Sequence, residues 1–164
     1  MRKNTKFIGS LAFILVCINL HLNVMAQSML KKDVTQTIKF RVARPTDNLV
    51  EVTRLYREGL GFEVLASFEN HKGFDGVILG HKGLPYHLEF THHRGNKVGK
   101  APSQDNLLVF YLPDTTEWKK AIERMKKHGY EPVKSYNPYW DEKGKTFEDA
   151  DGYRVVLQNA SWDL

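Results

Sequence analysis

Gly61-Phe62-Glu63-Val64 and, 68 positions later, Gly129-Tyr130-Glu131-Pro132-Val133 decide how this chain is read. Each follows a stretch of helical periodicity, and each predicted helix opens on an aspartate, in Asp47-Asn48 and in Asp114-Thr115. Each half also carries an Asp-Gly step leading into an apolar run: Asp75-Gly76-Val77-Ile78-Leu79 and Asp151-Gly152-Tyr153-Arg154-Val155-Val156-Leu157. A repeat of this length exceeds solenoid periods and indicates two copies of one small module. Two such modules are expected to build their site where they meet.

In the first module, Ile38, Phe40 and Val42 alternate with Thr37, Lys39 and Arg41, the period of a strand. Pro45 and Asp47 punctuate the chain. Leu49, Val52, Leu55, Tyr56 and Leu60 then share one helical face, and Gly61 stops the helix. Three strand-like runs follow, Phe62 to Phe68, Phe74 to Gly80 and Pro85 to His92, with Lys72-Gly73 and Lys82-Gly83 in the turns. A polar connector over about 94–105 is broken by Gly95, Gly99 and Pro102. The second module repeats the plan. Leu107 to Leu112 is apolar throughout, as a buried strand would be, and Asp114 with Glu117 forms a capping box. Trp118, Ile122 and Met125 mark the buried helical face, and strands are expected at Glu131–Ser135, Thr146–Glu148 and Tyr153–Gln158. The expected class is α+β: two tandem βαβββ modules, about 36–93 and about 106–159, within a single domain over 27–164.

Residues 1–26 read as a secretory signal. Arg2, Lys3 and Lys6 form a basic start, Phe7 to Leu20 is apolar, and Val24-Met25-Ala26 sets cleavage before Gln27. Asn19 and His21 keep the run short of the ~20 residues of a spanning helix, so no stable membrane insertion is expected after cleavage. The only cysteine, Cys17, leaves with this segment, so the exported domain depends on its core without disulfides. Three of the 24 basic residues and none of the 19 acidic ones leave too, which takes the charge from +5 to 21 against 19, or +2. No basic stripe remains, and nucleic acid is not an expected partner.

Paired modules of this form resemble the vicinal oxygen chelate superfamily, which includes glyoxalase I, extradiol dioxygenases and bleomycin-resistance proteins. Within it the chain looks most like the YycE-like group. Phe74-Asp75-Gly76-Val77, Tyr86-His87-Leu88-Glu89-Phe90, Asn137-Pro138-Tyr139-Trp140 and Phe147-Glu148-Asp149-Ala150-Asp151-Gly152-Tyr153 carry the resemblance. It implies that each module curls into a half-cup, with a ligand or metal between the two. Metal-dependent members draw one ligand from the first and last strand of each module. Here those positions hold Phe40 or Arg41, Glu89, Asn106 or Leu107, and Val156, so Glu89 alone matches. A divalent metal normally needs three protein ligands and is disfavoured on this ground.

Strand alternation puts His87, Glu89, Thr91 and His93 on one face. Three readings of Glu89 stay open. It accepts a buried hydrogen bond from Arg41; it works with His87 as an acid–base or ligand-contacting pair; or it joins His87 and His93 around an ion. Tyr136, Tyr139 and Trp140 suit stacking on a flat ligand or closing the core edge as a lid. Arg154 reads as a ligand's counter-charge or as one side of a surface ion pair. The site expected from the sequence therefore contains Glu89 and His87 as catalytic candidates, with Arg41, Tyr139, Trp140 and Arg154 as ligand contacts.

The leading expectation is an exported protein that binds a small organic ligand between its modules without the usual metal. The alternatives are a glyoxalase-like lyase or dioxygenase with an altered metal site around Glu89, and a non-catalytic module that assembles as a homodimer.

Overall fold

The computed structural model describes residues 39–162. The signal segment with Cys17, and the first-strand residues Thr37 and Ile38, lie outside the described residues.

Module one forms β1 (Phe40–Pro45), α1 (Leu49–Arg54), β2 (Glu63–His71), β3 (Phe74–Gly80) and β4 (Tyr86–His93). The end of α1 widens into a π-helical turn over Leu55–Gly59 before Gly61, at φ +82°, stops it. The strands lie in the order β1-β4-β3-β2, with β1 parallel to β4 and the remaining pairs antiparallel. Module two forms β5 (Leu107–Tyr111), α2 (Thr115–Lys127), the short α3 (Tyr139–Lys143), β6 (Gly144–Glu148) and β7 (Arg154–Gln158), in the order β5-β7-β6. Gly129 stops α2 at φ +86°, the same left-handed step as Gly61, and so preserves the repeat in the backbone.

The helices carry the core between the two sheets. Val52, Leu55 and Tyr56 of α1 join Leu79, Leu88 and Phe90 of sheet one, Met125 of α2, and Phe147, Val155 and Leu157 of sheet two in one buried cluster. Each fully buried aliphatic or aromatic side chain stabilises the fold by about 1.5–3 kcal/mol. Gly59 makes the helix contact close: a Cβ there would stand 2.6 Å from Met125 Sδ. Two arginines reciprocate across this contact. Arg124 donates to the carbonyls of Gly59 (2.8 Å) and Leu60 (2.7 Å), and Arg54 donates to that of His128 (3.2 Å). Each helix thus satisfies the free C-terminal carbonyls of the other with a cation, as the helix dipole favours.

Three expected details differ. Asp47 does not cap α1; its carboxylate accepts the N–H groups of Val98 and Gly99 and so fastens the connector, and these bonds hold its pKa below the usual value. Asp114 does cap α2, through Thr116 and Glu117, while the Glu117 carboxylate pairs with Lys120. In module two the strand expected at 131–135 contracts to a single bridge, Val133 to Thr146. Pro132 supplies no N–H to a ladder, and Ser135 turns its hydroxyl to Asp141 and Thr146. β5, expected to be buried, is half-exposed along its whole length because it is an edge strand.

A buried ion pair joins β1 to the turn before β7. Arg44 donates to Asp149 (2.6 Å) and Asp151 (3.1 Å), whose side chains are 0% and 1% exposed. Its guanidinium lies 4.8 Å from the centre of the Phe90 ring and 3.9 Å from that of Tyr153. Asn48 adds a bond to Asp151 at 2.8 Å. Replacing Arg44 by methionine keeps the volume but strands two buried carboxylates, and the expected loss in urea-denaturation stability is about 3–5 kcal/mol.

Candidate functional site

Sheet one ends at β1 and sheet two at β5, so each presents an edge with one row of backbone N–H and C=O groups outside its ladder. At these edges lies a cavity of about 350 Å³. Val42, Ala43, Arg44 and Pro45 of β1 form one wall, with Leu88 and Phe90 of β4 behind them and Tyr56 of α1 beside them. Asn106, Leu107 and Leu108 at the start of β5, and Tyr153 and Arg154 at the start of β7, form the other. The expected location, where the modules meet, thus contains a built concavity.

Arg44, Arg154 and Asn106 of its wall are already engaged with groups behind the wall. Arg44 is held by Asp149 and Asp151. Burial pushes the Asp149 carboxyl above its ordinary value, against the opposing pull of Arg44 and of the Asp151 and Tyr153 N–H groups. Arg154 donates to Glu148 at 2.9 Å and to the Lys134 carbonyl at 3.3 Å. The ion pair expected for Arg154 is therefore present, but the side chain is buried rather than on the surface. The Asn106 amide donates to the Ser103 carbonyl. The Tyr56 hydroxyl is buried beside Arg44.

Arg41, His87 and Glu89 come together on the other face of sheet one. In the parallel β1–β4 pair, Arg41 lies opposite His87 and Ala43 opposite Glu89, while the alternating Leu88 and Phe90 enter the core. Arg41 Nε donates to His87 Nε2 at 2.6 Å, which puts the neutral imidazole's proton on Nδ1. Arg41 Nη1 donates to Glu89 Oε2 at 2.5 Å. A guanidinium, itself a cation, thus occupies the space between the two side chains that would hold an ion. His93 does not join them; its ring stacks on Phe74 at 4.3 Å. Among the described residues no group of three or more His, Cys, Asp and Glu side chains is placed to hold a metal. The residues do not fit the divalent ion that the superfamily resemblance implies.

Tyr139 and Trp140 lie on α3, edge to face at 4.9 Å, and are not in the cavity wall. Asp141 of the same helix accepts the Ser135 hydroxyl, which also meets that of Thr146. Thr146 is the register partner of Val156, and both are fully buried. Of the four positions at which the superfamily's metal ligands stand, Val156 is therefore enclosed beside the anchored α3, Leu107 lines the cavity, and Arg41 and Glu89 bind each other.

Sequence reasoning missed Arg44 and the Tyr56 hydroxyl. Tyr56 falls on the apolar face of α1 and reads as core, yet a phenol buried there needs a partner, and that demand was a legible signal.

Comparisons with known proteins agree with this architecture. The family model of the YycE-like N-terminal domain matches residues 40–91, and that of the YycE-like C-terminal domain matches residues 105–159. The YycE protein of Bacillus subtilis (strain 168) is 43% identical over 125 residues, which are 76% of this chain and 90% of that protein. A crystal structure of YycE from Bacillus subtilis superposes with a TM-score of 0.72 at 42% identity, covering 78% of this chain and 93% of that one. Glyoxalase I of Leishmania major (TM-score 0.57, 22% identity, 74% and 85% covered) shares the fold. So does the fosfomycin resistance protein FosX of Mesorhizobium loti (TM-score 0.57, 14% identity, 74% and 90% covered).

With Arg41 in place, the protein equilibrated with Zn²⁺ and then desalted is expected to retain substoichiometric metal by atomic emission. A stoichiometric ion that disappears in Glu89→Ala would overturn the misfit.

Proposed function

Because the chain belongs to the YycE-like family of the vicinal oxygen chelate superfamily, we propose that it binds a small organic molecule where its two modules meet. Its own side chains, rather than a divalent metal, contact that molecule, and it acts after export. Glyoxalase and fosfomycin-resistance activities belong to the fold neighbours named for them; the proposal rests on this chain's own cavity.

The observation that carries the reading is the cavity of about 350 Å³ whose wall draws on both modules. Small-molecule sites are typically concave, largely apolar, of roughly 300–1,000 Å³, and carry a few placed polar groups. Leu88, Phe90, Leu107 and Leu108 supply the apolar surface, and Tyr56, Arg44, Asn106 and Arg154 the polar groups. The metal-free part of the proposal is supported by the Arg41 guanidinium between His87 and Glu89. The export part is supported by the basic start, apolar run and Val24-Met25-Ala26 site.

A ligand that binds only the native state raises its melting temperature. In a thermal scan across a metabolite panel, at least one uncharged or weakly polar compound is expected to stabilise the protein. Leu107→Trp, which fills the cavity from the β5 side, abolishes that shift. A panel without a single stabilising compound counts against the proposal. N-terminal sequencing of the exported protein is expected to begin at Gln27.

A further inference from the structure

The wall of the junction cavity takes consecutive residues from each edge strand, Val42, Ala43, Arg44 and Pro45 from β1 and Asn106, Leu107 and Leu108 from β5. A strand face would contribute every second residue, so β1 meets this space with its edge, where the backbone groups lie. Hydrogen bonding to β4 fixes which groups these are. The N–H groups of Phe40 and Thr46 donate to the carbonyls of Pro85 and Thr91. In the parallel β1–β4 ladder the even-numbered residues therefore turn their N–H and C=O to β4, and Arg41 and Ala43 turn theirs the other way. Among the described residues these outward groups have no partner within the protein, and Ala43 is exposed.

Such a row of donors and acceptors, repeating about every 6.5 Å, is complementary to an extended peptide backbone. Its length selects the occupant. Pro45 has no N–H and ends the row, which leaves Arg41 and Ala43 for pairing. Arg41 and Arg44 add charge to the strand, and charge and proline guard an edge against pairing with another sheet. A short ligand can use the two residues that remain, whereas a second copy gains little from them. The cavity sets the ligand's side chain. Val42, Leu88, Phe90, Leu107 and Leu108 make it largely apolar. Its cations are already matched, Arg44 by Asp149 and Asp151 and Arg154 by Glu148, and the Asn106 amide is turned to Ser103. A charged side chain would lose its hydration there without a free counter-charge.

We propose that the junction cavity binds a short uncharged peptide in extended conformation, whose backbone pairs with the N–H and C=O of Ala43 and whose apolar side chain enters the cavity. The inference rests on the junction cavity being the ligand site.

Four probes test it: N-acetyl-alanyl-leucyl-alanine amide, the same peptide with its three residue nitrogens methylated, its glutamyl counterpart, and ethylbenzene. Binding is followed by ligand-observed NMR on wild type, Ala43→Pro and Leu107→Trp. The leucyl peptide is expected to bind wild type and to lose about tenfold in affinity in Ala43→Pro, the scale of one hydrogen bond, because that change removes an outward N–H and no ladder bond. The methylated peptide loses at least as much on wild type, whether or not Ala43→Pro folds. Ethylbenzene binds wild type and Ala43→Pro alike, and Leu107→Trp binds none of the four. Equal affinity of the leucyl peptide and its methylated form overturns the backbone pairing, and ethylbenzene binding without peptide binding overturns the peptide class; both leave the cavity as the site. Tighter binding of the glutamyl peptide overturns the uncharged class. A wild-type dimer in analytical ultracentrifugation that Ala43→Pro dissociates assigns the edge to a second copy and overturns the proposal. If wild type binds neither peptide nor ethylbenzene, or binds them no better than Leu107→Trp does, the cavity reading falls as well.

Discussion

Arg44 is the constraint on which the joining of the two modules depends. It reaches from the last turn of β1 to Asp149 and Asp151 ahead of β7, between the rings of Phe90 and Tyr153. Its charge is removed from water, so the arrangement is stable only while both carboxylates and both rings stay in place. The same contact shapes the cavity, because Arg44 and Tyr153 are also part of its wall. Stability and the candidate site therefore share a residue. Asn48 and the connector residues Lys100 and Ala101 bond to the same acidic turn and tie the entry of α1 and the inter-module connection to it.

The duplication is clearest in the backbone and in the helix pair. Gly61 and Gly129 take the same left-handed step, and Arg54 and Arg124 each cap the partner helix's carbonyls. Symmetry ends at the faces away from the core. Sheet one carries the Arg41–His87–Glu89 cluster, whereas sheet two carries α3, anchored through Asp141 and Ser135 beside buried Thr146 and Val156. Conserving a module's packing does not require conserving its chemistry, since the two depend on opposite faces of the same strands.

Much of this was legible in the sequence wherever one local rule dominated. Period-two and helical patterns located β3, β4, α2 and the helix stops within a residue or two, and Asp114 performs the capping its position suggests. The bond from Arg41 to Glu89 was one of three readings of Glu89 that the sequence left open; the structure has it, on a guanidinium that is 45% exposed instead of buried. The misses have a common cause. Asp47 resembles a cap but serves a connector about fifty residues away, Ser135 leaves its strand for Asp141, and β5 is apolar yet half-exposed because, among the described residues, no strand covers its outer edge. Each depends on a partner distant in sequence, which no window of neighbouring residues contains.

The sequence by itself determined a βαβββ first module, a second module of the same order except for the strand expected at 131–135, and which residue types stand at the superfamily's metal-ligand positions, because periodicity, glycine stops and residue type are local properties. Only the tertiary structure decided that Arg41 stands between His87 and Glu89, and that Arg44 closes on Asp149 and Asp151. It also decided that the hydroxyl of Tyr56, an apparent core residue, is buried beside Arg44. The physical reason is that the worth of a buried charge or hydroxyl is set by the groups that surround it after folding, and those come from both halves of the chain.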